Sequence, residues 1–499
     1  MSLNKWYRLS AIVLITMVSN SLIAQLQSNG ADSEIGKNLL LQDIQILKKN
    51  LEMVQPGLYN YTSKEDMETF FEELKGKITD DMSSIDFFRL IAPLSNLIKN
   101  GHTLLVPSSN WEEYVVTNAK LLPLDLYQYN GDLYVLRNVS DNTTIVEGSI
   151  LKSINGKSAI DVFNYMVDCW FKDGYNLTRP REIVEEEYRL LFAHFYGANE
   201  KYDLEIINPS GESLSLEVNG IKESKFRKRL EERFDIEYVP WWRKKPEPLS
   251  FNLINETAYL KVTQFNNGLK STHGERFGKF IKKSFKTIKQ KEIRNLVLDL
   301  RGNGGGDVKP QLELLRHLVK EPFHLYKKVF ANVRSLPNPE YYEFNILSKT
   351  QFKNNFSNEK VAGVYSMKER LGFESTPQEP SENLFNGNLY VLIDGWSFSA
   401  TGEVSGIIKE QRKDAVFVGE ETGGNPVTNI SGIQTFMTLP NSKNRILICL
   451  VSYTADVSFK NDGHGVKPHY ELRNSVFDVL NNKDVVIEKV NQLIAESKN

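Results

Sequence analysis

The chain has 499 residues, of which 40% are hydrophobic and 25% are charged, and its 61 basic and 63 acidic side chains nearly cancel to a net charge of −2. This balance is typical of a folded globular protein and excludes wholesale disorder or a fibrous repeat. Because no excess of positive charge attracts phosphate groups, we expect no nucleic-acid partner and no attraction to an anionic membrane.

The first 24 residues have the pattern of a secretory signal peptide. Lys5 and Arg8 form a basic start, residues 9–18 are mostly apolar, and a cleavage site follows at Ala24. A short membrane anchor is the alternative, although the apolar run is shorter than the roughly 20 residues that span a bilayer. No later segment is apolar enough to span, so we expect export to the periplasm or extracellular space without stable membrane insertion.

Only two cysteines occur, Cys169 and Cys449. Two thiols cannot form a disulfide framework or a four-thiolate metal site. Free buried thiols are the expectation, and one long-range disulfide is the alternative.

Residues 36–108 have the apolar spacing of a helical domain. A second helix begins after Ser63, and a third, over residues 85–98, ends at Asn100-Gly101. His102 and a short strand over residues 104–106 follow directly.

Residues 120–220 are richer in strand patterns. Asn155-Gly156 predicts a tight hairpin turn, and a helix is expected over residues 159–171. The run from Gly148 to Lys157 resembles the second half of a PDZ domain, although any hairpin could imitate it, and a lid or spacer is the alternative to a peptide-binding module. The charged residues 221–250 are interpreted as a linker or as a flap over a site.

From residue 251 to residue 480 strands alternate with helices, which predicts a mainly parallel α/β sheet. The expected strands cover residues 259–262, 296–300, 389–394 and 415–419, and the expected helices cover residues 277–290, 312–319 and 401–409. The basic helix over 277–290 is interpreted as a solvated outer face rather than a membrane-binding one. Residues 335–385 lack periodicity and predict an insertion or lid, and residues 481–499 predict a terminal helix.

Two segments carry candidate chemistry. In the first, Asp299-Leu300-Arg301 is followed by Gly302-Asn303-Gly304-Gly305-Gly306, where a strand ends. Glycines there let backbone N–H groups turn toward an anion. No Gly-Lys-Ser/Thr end follows, so the loop is not a Walker loop. A cradle for a transient oxyanion and a simple strand-to-helix turn both remain open.

The second segment, residues 396–403, places Ser397 and Ser399 between a strand and a helix. A serine at a helix N-terminus exposes its hydroxyl beside free N–H groups, which suits a nucleophile. The alternative is that either serine only caps the helix.

Together these segments resemble the tail-specific (C-terminal-processing) serine protease family, which includes tricorn protease and interphotoreceptor retinoid-binding protein. The resemblance rests on four motifs in order: residues 299–305, Phe398-Ser399-Ala400, residues 418–424 and Gly465-Val466-Lys467-Pro468. It implies an α/β fold of the ClpP/crotonase type behind the helical and PDZ-like domains. It also implies Ser399 as nucleophile, with Ser397 second, and an oxyanion hole built from Ala400 and a glycine of the pair Gly304 and Gly305.

The sequence departs from the Ser–Lys branch of that family, which has a lysine 25 residues after the serine, because Gly424 stands there. Lys409 and Lys413 follow Ser399 more closely but are expected to face solvent. The tricorn-like branch uses a histidine of the helical domain, and Gly101-His102-Thr103 matches its Gly-His-Thr motif. The resemblance therefore implies His102 as general base, against the alternative that it only ends a helix.

The orienting acid is less well defined by the resemblance. That branch has a glutamate shortly before Gly-Val-x-Pro, and Asp462 stands in the expected place, where a turn-forming Asp-Gly is the alternative. The branch also has a serine before its histidine; Gly101 stands there, and Thr103 is a possible substitute. No histidine, cysteine and carboxylate spacing suggests a metal, so neither metal nor cofactor is expected.

These features predict an exported serine peptidase that acts on peptides or unfolded proteins. A non-catalytic binding protein on the same scaffold is the alternative. If His102 is the base with an ordinary pKa, activity is expected to rise between roughly pH 6 and 8.

Overall fold

The structure is a computed structural model that describes residues 33–343, 346–368 and 376–497. The signal peptide predicted over residues 1–24 lies outside these residues, as do parts of the predicted 335–385 insertion and the last two residues of the terminal helix. Within the described ranges, no helix is both long and apolar enough to cross a membrane.

The N-terminal part is helical as predicted, and its helices are α1 (Lys37–Val54), α2 (Lys64–Gly76), α3 (Ser84–Ile91) and α4 (Ser95–Ile98). The Ser63 side chain caps α2 by accepting a hydrogen bond from the Asp66 N–H, which is the start that the sequence predicts. The helix expected over residues 85–98 is broken by a 3₁₀ turn at Ala92–Leu94. Pro93 lies in this turn and has no N–H to donate to the preceding turn of helix.

An antiparallel β-rich part follows helix α5 (Ser109–Thr117). It comprises β2 (Leu124–Tyr129), β3 (Asp132–Asn138), β4 (Ile150–Ile154), β5 (Lys157–Ser158), β6 (Lys201–Ile207) and β7 (Ser213–Asn219), with helices α6 (Ala159–Cys169) and α7 (Thr178–Tyr196). The sheet order is β2-β3-β4-β6-β7, with β5 paired to β4. Asn155 and Gly156 have φ values of 51° and 74°, so the predicted two-residue turn between β4 and β5 is confirmed.

The charged stretch 221–250, expected to be a linker or flap, contains helix α8 (Glu223–Phe234) and a 3₁₀ turn at Trp241–Arg243. The helix forms because Phe226 and Leu230, one turn apart, are buried in a small apolar cluster. Glu223 anchors its first turn by accepting bonds of 2.7 and 2.6 Å from the Arg189 guanidinium.

The mainly parallel sheet predicted after residue 251 is present and has the order β17-β14-β13-β10-β9-β8. Its strands are β8 (Ser250–Ile254), β9 (Thr257–Lys261), β10 (Asn295–Asp299), β13 (Asn388–Ile393), β14 (Val416–Gly419) and β17 (Tyr470–Glu471). The helices of this part are α9 (Phe277–Gln290), α10 (Val308–Leu315), α12 (Ala400–Gln411), α13 (Val476–Leu480) and α14 (Val485–Glu496). Only the β8–β9 pair is antiparallel.

A second, antiparallel sheet joins the N-terminal helices to this part. It comprises β1 (Leu104–Val106), β11 (Tyr326–Ala331), β12 (Tyr365–Ser366), β15 (Thr428–Thr438) and β16 (Arg445–Ala455); helix α11 (Ile346–Asn355) lies between β11 and β12. The order is β1-β16-β11-β12, and β15 also pairs with β16. Leu104 of β1 faces Leu447 of β16, so the segment just before β1 is held against the core.

The two cysteines are buried free thiols, as expected. Cys449 lies on β16 and approaches the carbonyl oxygen of His102 with its sulfur at 3.4 Å. Cys169 is the last residue of α6.

The Arg189–Glu223 pair yields a stability prediction, because its side chains are only 2% and 1% exposed. Glu223→Ala would leave a buried guanidinium without its main partner, so it should lower the free energy of unfolding by about 3 kcal/mol or more. Glu232→Ala is the matched control on the same helix. The 3.5 Å ion pair of Glu232 with Lys228 is exposed, so its loss should lower the free energy of unfolding by less than about 1 kcal/mol. Urea denaturation of both variants measures the difference; equal midpoints would show that α8 is not anchored by this pair.

Candidate active site

Three loops meet at the carboxyl edge of the parallel sheet, after β10, β13 and β14. The Phe398 N–H donates to the Asn303 carbonyl at 3.1 Å, and the Gly424 N–H donates to the Ser397 carbonyl at 3.2 Å. The Gly302 N–H donates to the Asp394 carboxylate at 3.0 and 3.1 Å. The glycine-rich segment and the serine segment singled out in the sequence are therefore neighbours.

Ser399 occupies the N-cap of α12 with φ 55° and ψ −123°, a backbone conformation that residues other than glycine rarely adopt. Such a residue stores about 1–3 kcal/mol of strain and persists only when its surroundings enforce it. A Cβ added to Gly305 would lie 2.8 Å from the Ser399 Cβ, and one added to Gly424 would lie 2.5 Å from the Ser399 nitrogen. Both loops thus press on the serine, whose side chain stays partly exposed.

Ser397, the second candidate nucleophile, is fully buried. Its hydroxyl lies 3.0 Å from the Leu300 carbonyl and accepts from the Asp394 N–H at 3.1 Å. These bonds fix the turn before Ser399 and leave Ser397 in a structural position.

The candidate oxyanion donors divide into free and occupied groups. The Gly305 N–H donates to the Asn303 side chain at 2.9 Å, so it is not available in this conformation. Among the described residues no acceptor pairs with the N–H of Ala400 or of Gly304. Of the expected glycine pair, the structure therefore leaves Gly304 as the free donor, with Ala400 at the positive end of α12.

His102 lies between α4 and β1, and its imidazole packs at a tilt against the ring of Phe398, the residue before Ser399. The two ring centroids are 4.4 Å apart. The backbone N–H of His102 donates a hydrogen bond to the side-chain oxygen of Asn100 at 2.8 Å. The chain thus brings His102 beside the serine segment, although no hydrogen bond between the imidazole and the Ser399 hydroxyl is present among the described groups.

The surroundings of His102 keep its imidazole neutral. Burial, and then the positive charge of Arg179, lower the pKa of His102 to about 3. Its Nδ1 is buried and has no hydrogen-bond partner in the described part of the chain. The expectation that His102 itself causes a rise in activity between pH 6 and 8 is therefore corrected, because this base is already neutral below that interval.

Asp462 is exposed, and its carboxylate accepts the His464 N–H at 3.0 Å in a turn. The structure does not bring it to Nδ1 of His102. The contact it shows is the one expected of a turn-forming Asp-Gly.

Asp173 is a buried carboxylate that sequence reasoning missed. It accepts the Gly101 N–H at 2.7 Å and the Asn425 N–H at 3.3 Å, tying the His102 loop to the loop after β14. Burial raises the pKa of Asp173 to about 6. The sequence shows only an Asp-Gly dipeptide there, which typically marks a turn.

Arg179 is a second missed residue. Its guanidinium lies 3.7 Å from the centroid of the Phe398 ring and 5.1 Å from that of Trp396. Its Nε and Nη1 are buried and unpaired within the described part of the protein. Burial lowers the pKa of Arg179 to about 10, while Asp173 counteracts that effect.

A third missed group contacts the candidate nucleophile directly. Asn429 of β15 donates through Nδ2 to the Ser399 hydroxyl at 3.3 Å and to Glu403 at 3.0 Å. The other oxygen of Glu403 accepts from the Tyr326 hydroxyl at 2.8 Å. Glu403 follows Ser399 by one helical turn, a spacing that was visible in the sequence without any partner to give it meaning.

In residues 33–343, 346–368 and 376–497, no group of three or more histidine, cysteine, aspartate or glutamate side chains is arranged to hold a metal ion. Near Ser399, the side chains of Asn429, Glu403 and Tyr326 form hydrogen bonds with one another.

The contact of Gly305 with Ser399 yields a second prediction. Gly305 has φ 101°, and Gly305→Ala adds a methyl group there that collides with Ser399. The serine must then move, so its labelling by a fluorophosphonate should slow by about tenfold or more. Gly278→Ala, in α9, is the control, because a Cβ there meets nothing within 4 Å. Equal labelling rates of the Gly305 variant and the unaltered protein would show that this contact does not hold the serine.

Comparison with known proteins bears on this site. Residues 256–472, which contain all three loops, match the model of peptidase family S41. No curated protein sequence matches the chain.

Solved structures of CPAF show the same fold. Mature CPAF complexed with lactacystin has a TM-score of 0.59 at 14% identity and covers 92% of this chain and 98% of that chain. A crystal structure of mature CPAF has a TM-score of 0.56 at 15% identity, covering 89% and 94%. The photosystem II D1 C-terminal processing protease covers 87% and 92% at 15% identity, with a TM-score of 0.37.

The family match falls on the segment that carries the ordered motifs, and those motifs converge in the structure around one strained serine. Residues 256–472 therefore match peptidase family S41, and this match indicates that the chain is a serine-type peptidase.

Proposed function

We propose that this protein is an exported serine endopeptidase or carboxy-terminal-end peptidase that cleaves peptides or unfolded proteins, with Ser399 as nucleophile and His102 as general base. The observation that carries the proposal is the position of Ser399. It stands in a strained N-cap, partly exposed, and the neutral imidazole of His102 packs against the adjacent Phe398 ring. A free serine hydroxyl is a weak nucleophile and needs such a base.

The reaction begins when Oγ of Ser399 attacks the carbonyl carbon of the scissile bond while the imidazole of His102 takes the hydroxyl proton. The N–H groups of Ala400 and Gly304 stabilise the oxyanion of the tetrahedral intermediate, aided by the positive end of α12. His102 then protonates the leaving amine, and water hydrolyses the acyl-enzyme by the reverse proton path. The imidazole must approach Oγ for this, as catalytic contacts often tighten only when substrate binds.

For the group that steadies the imidazolium, Asp462 remains our proposal. Its loop is linked to the segment of Asp173, because the Tyr175 N–H donates to the Gly463 carbonyl at 2.7 Å. A shift of this loop would carry the Asp462 carboxylate toward the unpaired Nδ1 of His102. Asp173 is less suited, since both of its oxygens already accept backbone N–H groups.

The proposed location is the periplasm or extracellular space, after cleavage of the signal peptide at Ala24. This rests on the basic start and apolar run of the first 24 residues. The β-rich part, residues 120–220, is proposed to bind substrate tails in the manner of a PDZ domain.

Ser399→Ala should lower peptide turnover by about 10³-fold or more, because it removes the atom that forms the acyl-enzyme. His102→Ala should cause a loss of similar size. The matched controls Ser210→Ala and His273→Ala change exposed residues of the same types and should leave turnover unchanged. Steady-state hydrolysis of an unfolded protein or quenched peptide measures all four.

Full turnover in Ser399→Ala would refute the assignment. Loss of activity in Lys409→Met or Lys413→Met, with His102→Ala unaffected, would instead indicate a Ser–Lys mechanism. A purified protein that binds peptides and shows no turnover in any form would favour the binding-protein alternative.

The proposed capture of tails predicts that the terminal carboxylate of a substrate matters. PDZ domains hold that carboxylate on backbone N–H groups, so amidating the carboxyl terminus of a good peptide substrate should raise KM by about tenfold while kcat changes little. Kinetics on the free-acid and amidated forms of one peptide measure this. Equal KM values would show that the β-rich part does not read the carboxylate and serves as a lid or spacer.

A further inference from the structure

Glu403 is a buried acid that the serine–histidine mechanism leaves unexplained. Its side chain is on α12, one turn after Ser399, and the residue is only 1% exposed. A carboxylate at such a position costs free energy unless hydrogen bonds and charge compensate it. Its side chain accepts hydrogen bonds from Tyr326 and Asn429, and Asn429 is also the hydrogen-bond partner of the Ser399 hydroxyl.

Asn429 is held by its amide nitrogen alone. Nδ2 donates to both Ser399 and Glu403, whereas Oδ1 is buried without a partner among the described residues. The orientation of an amide follows from the hydrogen bonds around it. The carboxylate of Glu403, which can only accept, is the group that turns Nδ2 toward the serine.

We propose that Glu403 and Asn429 are positioning residues that aim the proton of the Ser399 hydroxyl at the general base. The inference rests on the proposed role of Ser399 as nucleophile. With Glu403 ionised, the Asn429 amide donates to Oγ, so the serine oxygen accepts that bond and its own proton remains free for His102. With Glu403 protonated, its O–H can donate to Oδ1 of a turned amide. The serine proton then points at Asn429 and away from the base.

The charge state of Glu403 changes near neutral pH. Burial raises the pKa of Glu403 to about 7, the ionised Asp173 adds to the rise, and the bonds from Tyr326 and Asn429 oppose it. The first turn of α12, where Glu403 lies, also favours the ionised form. Tyr326 and Asp173 are thus the titratable groups that face it from β11 and from the segment before α7.

The sign of the pH dependence follows. Below the pKa of Glu403 the carboxyl is neutral and the serine proton is misdirected, so kcat should be low; kcat should rise with pH through about 7 and reach a plateau. His102 contributes no rise of kcat with pH in this interval, because its pKa is lowered to about 3.

The first test is Glu403→Gln, which keeps size and shape but cannot ionise. We expect kcat at pH 8 to fall by about tenfold, KM to stay within about twofold, and the limb near pH 7 to disappear. Glu410→Gln is the matched control on the same helix; that side chain bonds Ser458 at 2.7 Å, away from the serine, and its profile should equal that of the unaltered protein.

The second test does not depend on the Glu403 variant folding. Tyr326→Phe removes one hydrogen bond that stabilises the carboxylate, so the limb should move to higher pH while the plateau kcat is kept. A role of these residues in folding alone would lower the melting temperature without moving the limb.

An unchanged limb in both variants would overturn the positioning role. That outcome is distinct from failure of the proposed function, in which Ser399→Ala would retain turnover. Suppose that the unaltered protein is active and loses its activity in Ser399→Ala, whereas Glu403→Gln has the same kcat and the same pH profile. Ser399 would then remain the proposed nucleophile, and its positioning by Glu403 would be rejected.

Discussion

The backbone of Ser399 is forced into a left-handed N-cap by glycine loops that approach it more closely than any side chain would allow. Gly305 contacts it from the loop after β10, and Gly424 contacts it from the loop after β14. Because both glycines lie in loops that directly follow parallel strands, the sheet positions the groups that press on Ser399. Among the described residues the same turn leaves the N–H of Ala400 without an acceptor at the start of α12, so the proposed nucleophile and the proposed oxyanion donor have one structural cause.

Residues remote in sequence reach this turn through the second sheet and the segment before α7. The pairing of β1 with β16 fixes the chain just after His102, and Asp173 holds Gly101 just before it. Asn429 lies on β15, which also pairs with β16. Strand β16 thus aligns the elements that bring His102 and the Asn429 amide toward Ser399.

The charges around the site lie in a poorly solvated environment, where their mutual effects are strong. Burial and Arg179 keep His102 neutral, which suits the proposed base but opposes the imidazolium that the proposed mechanism requires. A carboxylate that approaches Nδ1 when substrate binds would relieve that opposition. Glu403, with a pKa raised to about 7, and Asp173, with a pKa raised to about 6, are groups in this cluster whose charges respond to pH near neutrality.

The sequence predicted the local parts of this arrangement well. The parallel sheet, helix Phe277–Gln290, the Asn155-Gly156 turn and the place of Ser399 between strand and helix all follow from periodicity and turn chemistry. It did not predict α8, because most residues of this helix are charged and Phe226 and Leu230 are its only buried apolar side chains. Nor did it identify Asp173, Arg179 or Asn429, whose partners lie far away in the chain and whose residue types are common in turns and on surfaces.

The most direct test of the central claim is to map the adduct after treating the folded protein with a fluorophosphonate. An activated serine reacts quickly, whereas a serine that is buried, or whose hydroxyl is bonded as a helix cap, does not. Mass spectrometry of the digested protein should find one adduct, on Ser399, and should find it greatly reduced in His102→Ala. An adduct on another serine, or equal modification of Ser399 with and without His102, would contradict the assignment of this pair.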